Sequence, residues 1–297
     1  MPASCFLVVL LASAGAAQAP ERFFNMPPEE VARTLQNIHK NTPSLEGRLA
    51  AISARFLGAP YRLGPLGEGP DGEFDRDPGF DLKAVDCTTF VEETLALALR
   101  PDAASACALL QKIRYRDGIV SYTARNHFPE TDWLPNNIAA GFLKDITRDV
   151  AGDQVGYVRK LISKRAWYAA KTAGDLAGFS GSSDQTAARL SRLQAAGQGF
   201  ADQISTVAYV PLAAIPEVLD RIPSGAVACL VREDRPDKPV VVTHQMFIIS
   251  RDGKRYVRHA ASGKTVEDVP ALEYFTRFAA SSWRVLGINL TQPQDLR

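Results

Sequence analysis

The stretch AVDCTTFVEET, residues 84–94, sets a cysteine between an aspartate and two threonines, with a helical pattern behind it. Asp86 is a favoured N-cap residue, and Phe90, Thr94, Leu97 and Ala98 trace one face of the helix that follows. Cys87 then falls in the first turn. Unpaired backbone N–H groups and the positive end of the helix dipole favour the thiolate there, which is the reactive form. Glu92 and Glu93 oppose this from a turn further on. Packing, a disulfide and metal ligation are the other uses of a cysteine. A helix start after a loop suits a nucleophile better than a core thiol.

A thiol nucleophile wants an imidazole base, and the chain has four histidines: His39, His127, His244 and His259. His39 sits beside Lys40 on an early helix and reads as a surface residue. His244 lies inside an apolar strand, VVVTHQMFIIS, and His259 ends the next one, RYVRHAAS. Between them stands Arg251-Asp252-Gly253-Lys254, and Asp-Gly is a strong hairpin signal. With Asp252 and Gly253 as a two-residue turn, paired positions sum to 505. Met246 then faces His259, and His244 faces Ala261. The two histidines share a face as diagonal neighbours, roughly 7–8 Å apart at Cα. A three-residue loop would put them on opposite faces. The expected set is Cys87 as nucleophile, His244 as base and His259 as the group that fixes the base's tautomer. His259 as a plain strand-end polar residue is the competing reading. Cys87 and His244 lie 157 positions apart, near the wide separation of papain-type enzymes.

The elements that must hold these residues follow from pattern. Residues 27–57 read as a helix and 58–79 as a Gly/Pro/Asp-rich loop whose acids do not fit a calcium-loop spacing. Residues 87–99 form the nucleophile helix, ended by Arg100-Pro101. Residues 113–137 read as short strands and an ordered loop, and 139–205 as mostly helical with an interruption at 178–183. Strands follow at 207–210, 226–232, 240–250, 254–260 and 283–289. Helices early and strands late make an α+β fold, with an antiparallel sheet packed against helices.

The 297 residues are 46% hydrophobic and 23% charged, enough for a sizeable core, and the formal net charge of +1 gives no reason to expect a nucleic-acid partner. The apolar run from Cys5 to Ala12, followed by small residues up to Ala19, reads as a secretory signal peptide over residues 1–19. Residues 20–297 then form one domain with helical insertions, exported and periplasmic, a monomer with no membrane span after signal removal. Cys5 leaves with the signal. Cys87, Cys107 and Cys229 remain, an odd count that leaves at least one free thiol. The scattered histidines, with no His-x-x-x-His or Cys-x-x-Cys, argue against a zinc site, so no metal or cofactor is expected.

A helix-borne Asp-Cys, a strand-borne His and a His on the neighbouring strand resemble the NlpC-type papain-fold cell-wall hydrolases, and most closely their N-acetylmuramoyl-L-alanine amidase-like branch. The resembling stretches are FLGAPY (56–61), DCTTFVEETLALAL (86–99), IRYRDG (113–118), YTARNHFPETDW (122–133), YVP (209–211), THQMFI and RHAAS. The resemblance implies a papain-like fold and a thiol hydrolase of peptidoglycan or muropeptide fragments. It would cut the amide between N-acetylmuramic acid and L-alanine of the stem peptide, with Cys87, His244 and His259 as its catalytic set. It further implies substrate contacts from Tyr61 and from Arg125, His127, Asp132 and Trp133. Asn126 and the residues FPET depart from the family's usual pattern, which bears on substrate preference. Two alternative readings share these residues: a γ-D-glutamyl-diaminopimelate endopeptidase of the same fold, and an inactive cell-wall-binding module.

Overall fold

The computed structural model describes residues 21–295. The expected signal segment and Cys5 lie outside them. The first helical region is two helices, α1 (Pro28–Asn41) and α2 (Leu45–Arg55). They part at Thr42-Pro43, where proline forbids a helical residue before it and offers no N–H. Ser44 then caps α2 by accepting the Gly47 N–H at 3.1 Å.

The helix expected to carry the nucleophile, α3 (Cys87–Leu99), is followed by α4 (Ala103–Arg114). A reciprocal capping box starts α3. Asp86 Oδ1 accepts the Thr89 N–H at 2.8 Å, and Thr89 Oγ1 accepts the Asp86 N–H at 2.9 Å. Every residue of α3 from Thr89 onward is buried. A chain of edge-to-face rings, Phe23–Phe56–Phe90–Phe247, has centroids 5.5, 5.7 and 5.6 Å apart and pins α2 and α3 to the sheet.

Residues 113–137 differ from expectation. They hold short 3₁₀ turns, a π-helical turn over Pro129–Trp133 and the short helix α5 (Leu134–Ala139), with only an isolated bridge between Tyr115 and Arg125. Their β-branched and aromatic residues pack as turns because Asn126 and Asn137 side chains satisfy the Ile113 carbonyl, at 2.9 and 3.1 Å, in place of a strand partner.

The next region also departs from its helical reading. It contains β1 (Leu143–Asp145), α6 (Thr147–Ala151), β2 (Gly156–Ile162), α7 (Lys164–Ala169), α8 (Ser183–Ala196) and the start of β3 (Gln203–Pro211). In β2, Val158, Lys160 and Ile162 are buried in alternation with exposed neighbours. A buried lysine masked that period in the sequence; its Nζ is held by Asp234 at 2.6 Å and by the Arg235 carbonyl at 2.8 Å.

After α9 (Ile215–Val218) come β4 (Ala226–Arg232), β5 (Val242–Arg251), β6 (Lys254–Ala260), β7 (Val266–Pro270), α10 (Ala271–Thr276) and β8 (Val285–Pro293). The antiparallel sheet runs β2-β3-β8-β4-β5-β6-β7, with β1 added to β8. It is covered on both faces, so β4 is buried from Ala226 to Val231. Val227, Cys229, Val231 and Phe247 pack towards α2 and α3. Ala228, Leu230, Met246 and Ile248 pack with residues of α6, α9 and α10. The chain is thus α+β, with an antiparallel sheet between helices. No helix of the described residues is long and apolar enough to cross a membrane.

Candidate active site

Cys87 opens α3, and its thiol, with those of Cys107 and Cys229, is free. The N–H groups of the first turn are divided between the cap and the sulfur. Thr89 N–H goes to Asp86 Oδ1 and Phe90 N–H to the Asp86 carbonyl at 3.0 Å. The backbone N–H groups of Gln245 and Thr88 donate to the Cys87 sulfur. Burial pushes the thiol up to about 12, and the Asp86 carboxylate adds to that; the two N–H donors and the Thr88 hydroxyl work the other way without prevailing. The helix-start expectation of a depressed thiol pKa is therefore overturned, because desolvation of the sulfur outweighs the helix terminus.

The histidines come from the hairpin. Asp252 (φ 52°) and Gly253 (φ 70°) both take the left-handed conformation of a two-residue hairpin turn, and β5 pairs β6 from Arg251–Lys254 to Phe247–Arg258, the register that sums to 505. The ladder ends there. Beyond it the start of β5 meets the start of α3 through the Gln245 N–H to Cys87 bond, whose donor is the residue next to His244. His244 and His259 share a face: His244 Nε2 lies 2.9 Å from His259 Nδ1, with the rings 5.0 Å apart and nearly perpendicular. Among the described residues, no hydrogen bond joins Cys87 to the His244 ring; the thiol's side-chain contact is Thr88 Oγ1 at 3.9 Å.

The second nitrogen of His259 is buried and has no hydrogen-bond partner, but it faces Glu267 Oε1 at 3.6 Å, the residue paired with it across β6 and β7. The far face of His259 packs edge-on against Tyr274 of α10, centroids 4.9 Å apart. Burial lowers His244 to about 3, helped by His259 and by the cations Arg277 and Arg232. Burial likewise lowers His259 to about 4, with Arg277 and Lys264 adding to it. At neutral pH both rings are uncharged. The pair opens on a cleft of about 400 Å³ lined also by Arg232, Lys264, Glu267, Tyr274, Arg277 and Trp283. Among the described residues no cluster of three or more His, Cys, Asp or Glu side chains could hold a metal ion.

Residues 51–280 match the AmiA-like family, described as N-acetylmuramoyl-L-alanine amidase-like. The chain belongs to that family. A comparison with curated proteins returned no match. Among solved structures, a Legionella pneumophila protein is 30% identical over 89% of this chain and 95% of its own, with a TM-score of 0.82. An N-acetylmuramoyl-L-alanine amidase from Bacteroides uniformis is 24% identical over 84% of this chain and 99% of its own, with a TM-score of 0.63, a likeness of fold. A Bacteroides fragilis protein provisionally named a xylanase is 26% identical over 82% and 99%, with a TM-score of 0.58.

In this amidase-like chain the residues expected to face substrate are divided. Tyr61 is half-buried beside Cys87; burial and then the Cys87 and Asp86 charges raise its hydroxyl, which bonds Ser262 at the cleft. The other four are held inside the fold and do not line the cleft of the histidine pair. Arg125 pairs with Asp75 at 2.6 Å and reaches the Tyr115 hydroxyl at 3.4 Å. His127 bonds the Tyr122 carbonyl at 2.9 Å and lies against the Tyr122 and Trp167 rings; burial, then Arg125, hold it well below its ordinary pKa. Asp132 is buried and accepts from Lys164 and from the Phe128 N–H. Trp133 is 1% exposed, with its Nε1 donating to Glu92 at 3.0 Å. Buried partners from distant segments satisfy these polar groups, which gives the ARNHFPETDW segment an architectural task. Sequence reasoning missed the Gln245 N–H, Glu267, Tyr274 and the cleft cations. Glu267 was reachable in principle, as the partner of His259 on a third strand; the cations had no local signal.

Proposed function

We propose that this protein is an exported, cysteine-dependent peptidoglycan amidase of NlpC-type papain-like architecture. Its bond is the amide between the lactyl group of N-acetylmuramic acid and L-alanine of the stem peptide. The observation that carries this reading is the free thiol at the start of α3, bonded by the N–H of Gln245, the residue next to His244 of a hydrogen-bonded histidine pair, in a chain of the amidase-like family. Export rests on the signal-like residues 1–19.

The hydrogen bonds of the pair support one division of roles. With Nε2 of His244 bonded to His259, Nδ1 is the nitrogen left to act as base. A base at Nδ1 requires Nε2–H, donated to His259 Nδ1. His259 then carries its proton on Nε2, facing Glu267. The resting pair is neutral thiol and neutral imidazole, so the thiol proton passes to His244 as sulfur attacks the lactyl carbonyl. With the Thr88, Thr89 and Phe90 N–H groups engaged, the Cys87 N–H is the oxyanion donor. The C–N bond breaks as His244 gives its proton to the alanine amine. Water, deprotonated by His244, then hydrolyses the thioester and frees Cys87.

Mass spectrometry of digests of defined muropeptides tests this. The expected products are the free muramic acid moiety and a peptide with an N-terminal L-alanine, and none from Cys87→Ala. Release of muramoyl-L-Ala-D-Glu with a peptide that begins at diaminopimelate would assign the γ-D-glutamyl endopeptidase activity instead. Undiminished turnover by Cys87→Ala would refute the thiol mechanism.

A further inference from the structure

The chemistry above uses Cys87, the histidine pair and backbone amides, and leaves one wall of the cleft without a task. That wall is basic. Arg232, Lys264 and Arg277 line it against the single carboxylate of Glu267. Two of these cations are engaged. Arg232 donates to Thr243 Oγ1 and Ser281 Oγ, each at 3.0 Å, and to the Trp283 carbonyl. Lys264 lies 3.8 Å from Glu267 Oε1. Arg277 differs. It is exposed, its guanidinium lies 3.7 Å over the Tyr274 ring and 5.1 Å from that of Phe278, and no ion pair joins it to a carboxylate among the described residues. Stacking on a buried tyrosine, with a side-chain hydrogen bond to it, fixes the guanidinium and leaves the remaining donors of its fork for the cleft. Tyr274 is the ring packed against His259, so this fork is tied to the reacting pair by one side chain.

The substrate class of the proposed amidase supplies a matching group. The muramic side of the scissile bond is a neutral sugar ether. The peptide side carries L-alanine and then a D-glutamate joined onward through its γ-carboxyl, which leaves its α-carboxylate free. Two extended residues reach about 7 Å from the scissile nitrogen, and Arg277 lines the same cleft as His244 and His259.

We propose that Arg277, with Lys264 beside it, is a subsite for the free α-carboxylate of the second stem residue, and that it selects unamidated over α-amidated stem peptides. This rests on the amidase reading. Planar, bidentate recognition of a carboxylate is the task to which a stacked arginine is suited and a lysine less so. Binding would also place a negative charge beside a cation that adds to the burial holding both histidines down, so the base would gain proton affinity when the acidic substrate is seated.

The test compares two synthetic muramoyl peptides, one with D-glutamate and one with D-isoglutamine in second position, on the wild-type protein, Arg277→Gln and Arg277→Lys. The wild type should favour the carboxylate form by about 10–100-fold in kcat/KM, mostly through KM, as charge-assisted hydrogen bonds allow. Arg277→Gln should lose that preference through a larger fall on the carboxylate peptide than on the isoglutamine peptide, and a thermal melt matching the wild type's certifies its fold. Arg277→Lys should recover part of the preference. Equal wild-type rates on both peptides, or an equal loss on both in Arg277→Gln, would overturn the subsite and leave the amidase reading standing. A wild-type protein that cuts neither lactyl amide overturns both.

Discussion

The protonation state of Cys87 gives the sharpest test. Burial and the Asp86 carboxylate push the thiol up to about 12. An ordinary thiol of pKa about 8.5 is about 10% thiolate at pH 7.5, and one at about 12 is on the order of 3 × 10⁻⁵ thiolate, a ratio of about 3,000. A more basic thiolate is intrinsically a better nucleophile. With a Brønsted coefficient of about 0.45, the difference of about 3.5 in pKa returns a factor of about 40. Exchange with a small disulfide should therefore run about 80-fold slower than for an ordinary thiol, before any hindrance to access. Access alone cannot produce the pH signature: the rate at Cys87, followed by peptide mass spectrometry, should still rise tenfold per pH unit between 8 and 9.5. Asp86→Asn keeps a good cap on α3 but removes the adjacent charge, so it should label faster at every pH in that range. A rate at Cys87 that is flat from pH 6 to 9 would mean a preformed thiolate–imidazolium pair. So would ultraviolet thiolate absorbance at pH 7 that vanishes in Cys87→Ala. Either result refutes the neutral resting pair and the concerted proton transfer built on it.

Because His244 is lowered to about 3 by burial and its neighbours, muropeptide kcat/KM should stay flat from pH 7 down to about 5, with no acid limb at an ordinary histidine's pKa. The same shifts act on folding. The unfolded chain binds these protons near pH 6.5 and the folded chain only near 3–4, so the pair's contribution to stability is full above pH 6.5 and is lost as pH falls, which thermal melts between pH 7 and 4 should show. Glu267→Gln keeps the side chain's shape and removes the charge facing His259, and steady-state kinetics should show kcat reduced by about 2–10-fold with KM unchanged. Glu92→Ala strips the buried Arg114 guanidinium of its counter-charge and Trp133 Nε1 of its acceptor. The loss should be about 3–5 kcal/mol, or a melting point lower by roughly 10 °C, read by calorimetry.

What the sequence made legible was local. The Asp252-Gly253 turn fixes its register through two backbone conformations that those residue types favour, so the shared face of His244 and His259 followed from counting. The start of α3 was equally readable, because Asp86 and Thr89 cap it across three residues. What escaped depended on partners far along the chain. Arg125 looks like a substrate contact until Asp75 is brought beside it, and Trp133 until Glu92 takes its N–H. The strand β2 hides its alternation behind Lys160, whose burial is tolerable only because Asp234 and the Arg235 carbonyl arrive from elsewhere. The thiol follows the same logic. A helix terminus is a property of neighbouring residues and argued for a depressed pKa, whereas desolvation is a property of everything packed over the sulfur, and here it is the larger effect. On the proposed mechanism, desolvation would keep Cys87 protonated and slow towards small oxidants until a substrate carbonyl and a neutral imidazole are both in place. In an oxidising compartment, a thiol with no disulfide partner would need that protection.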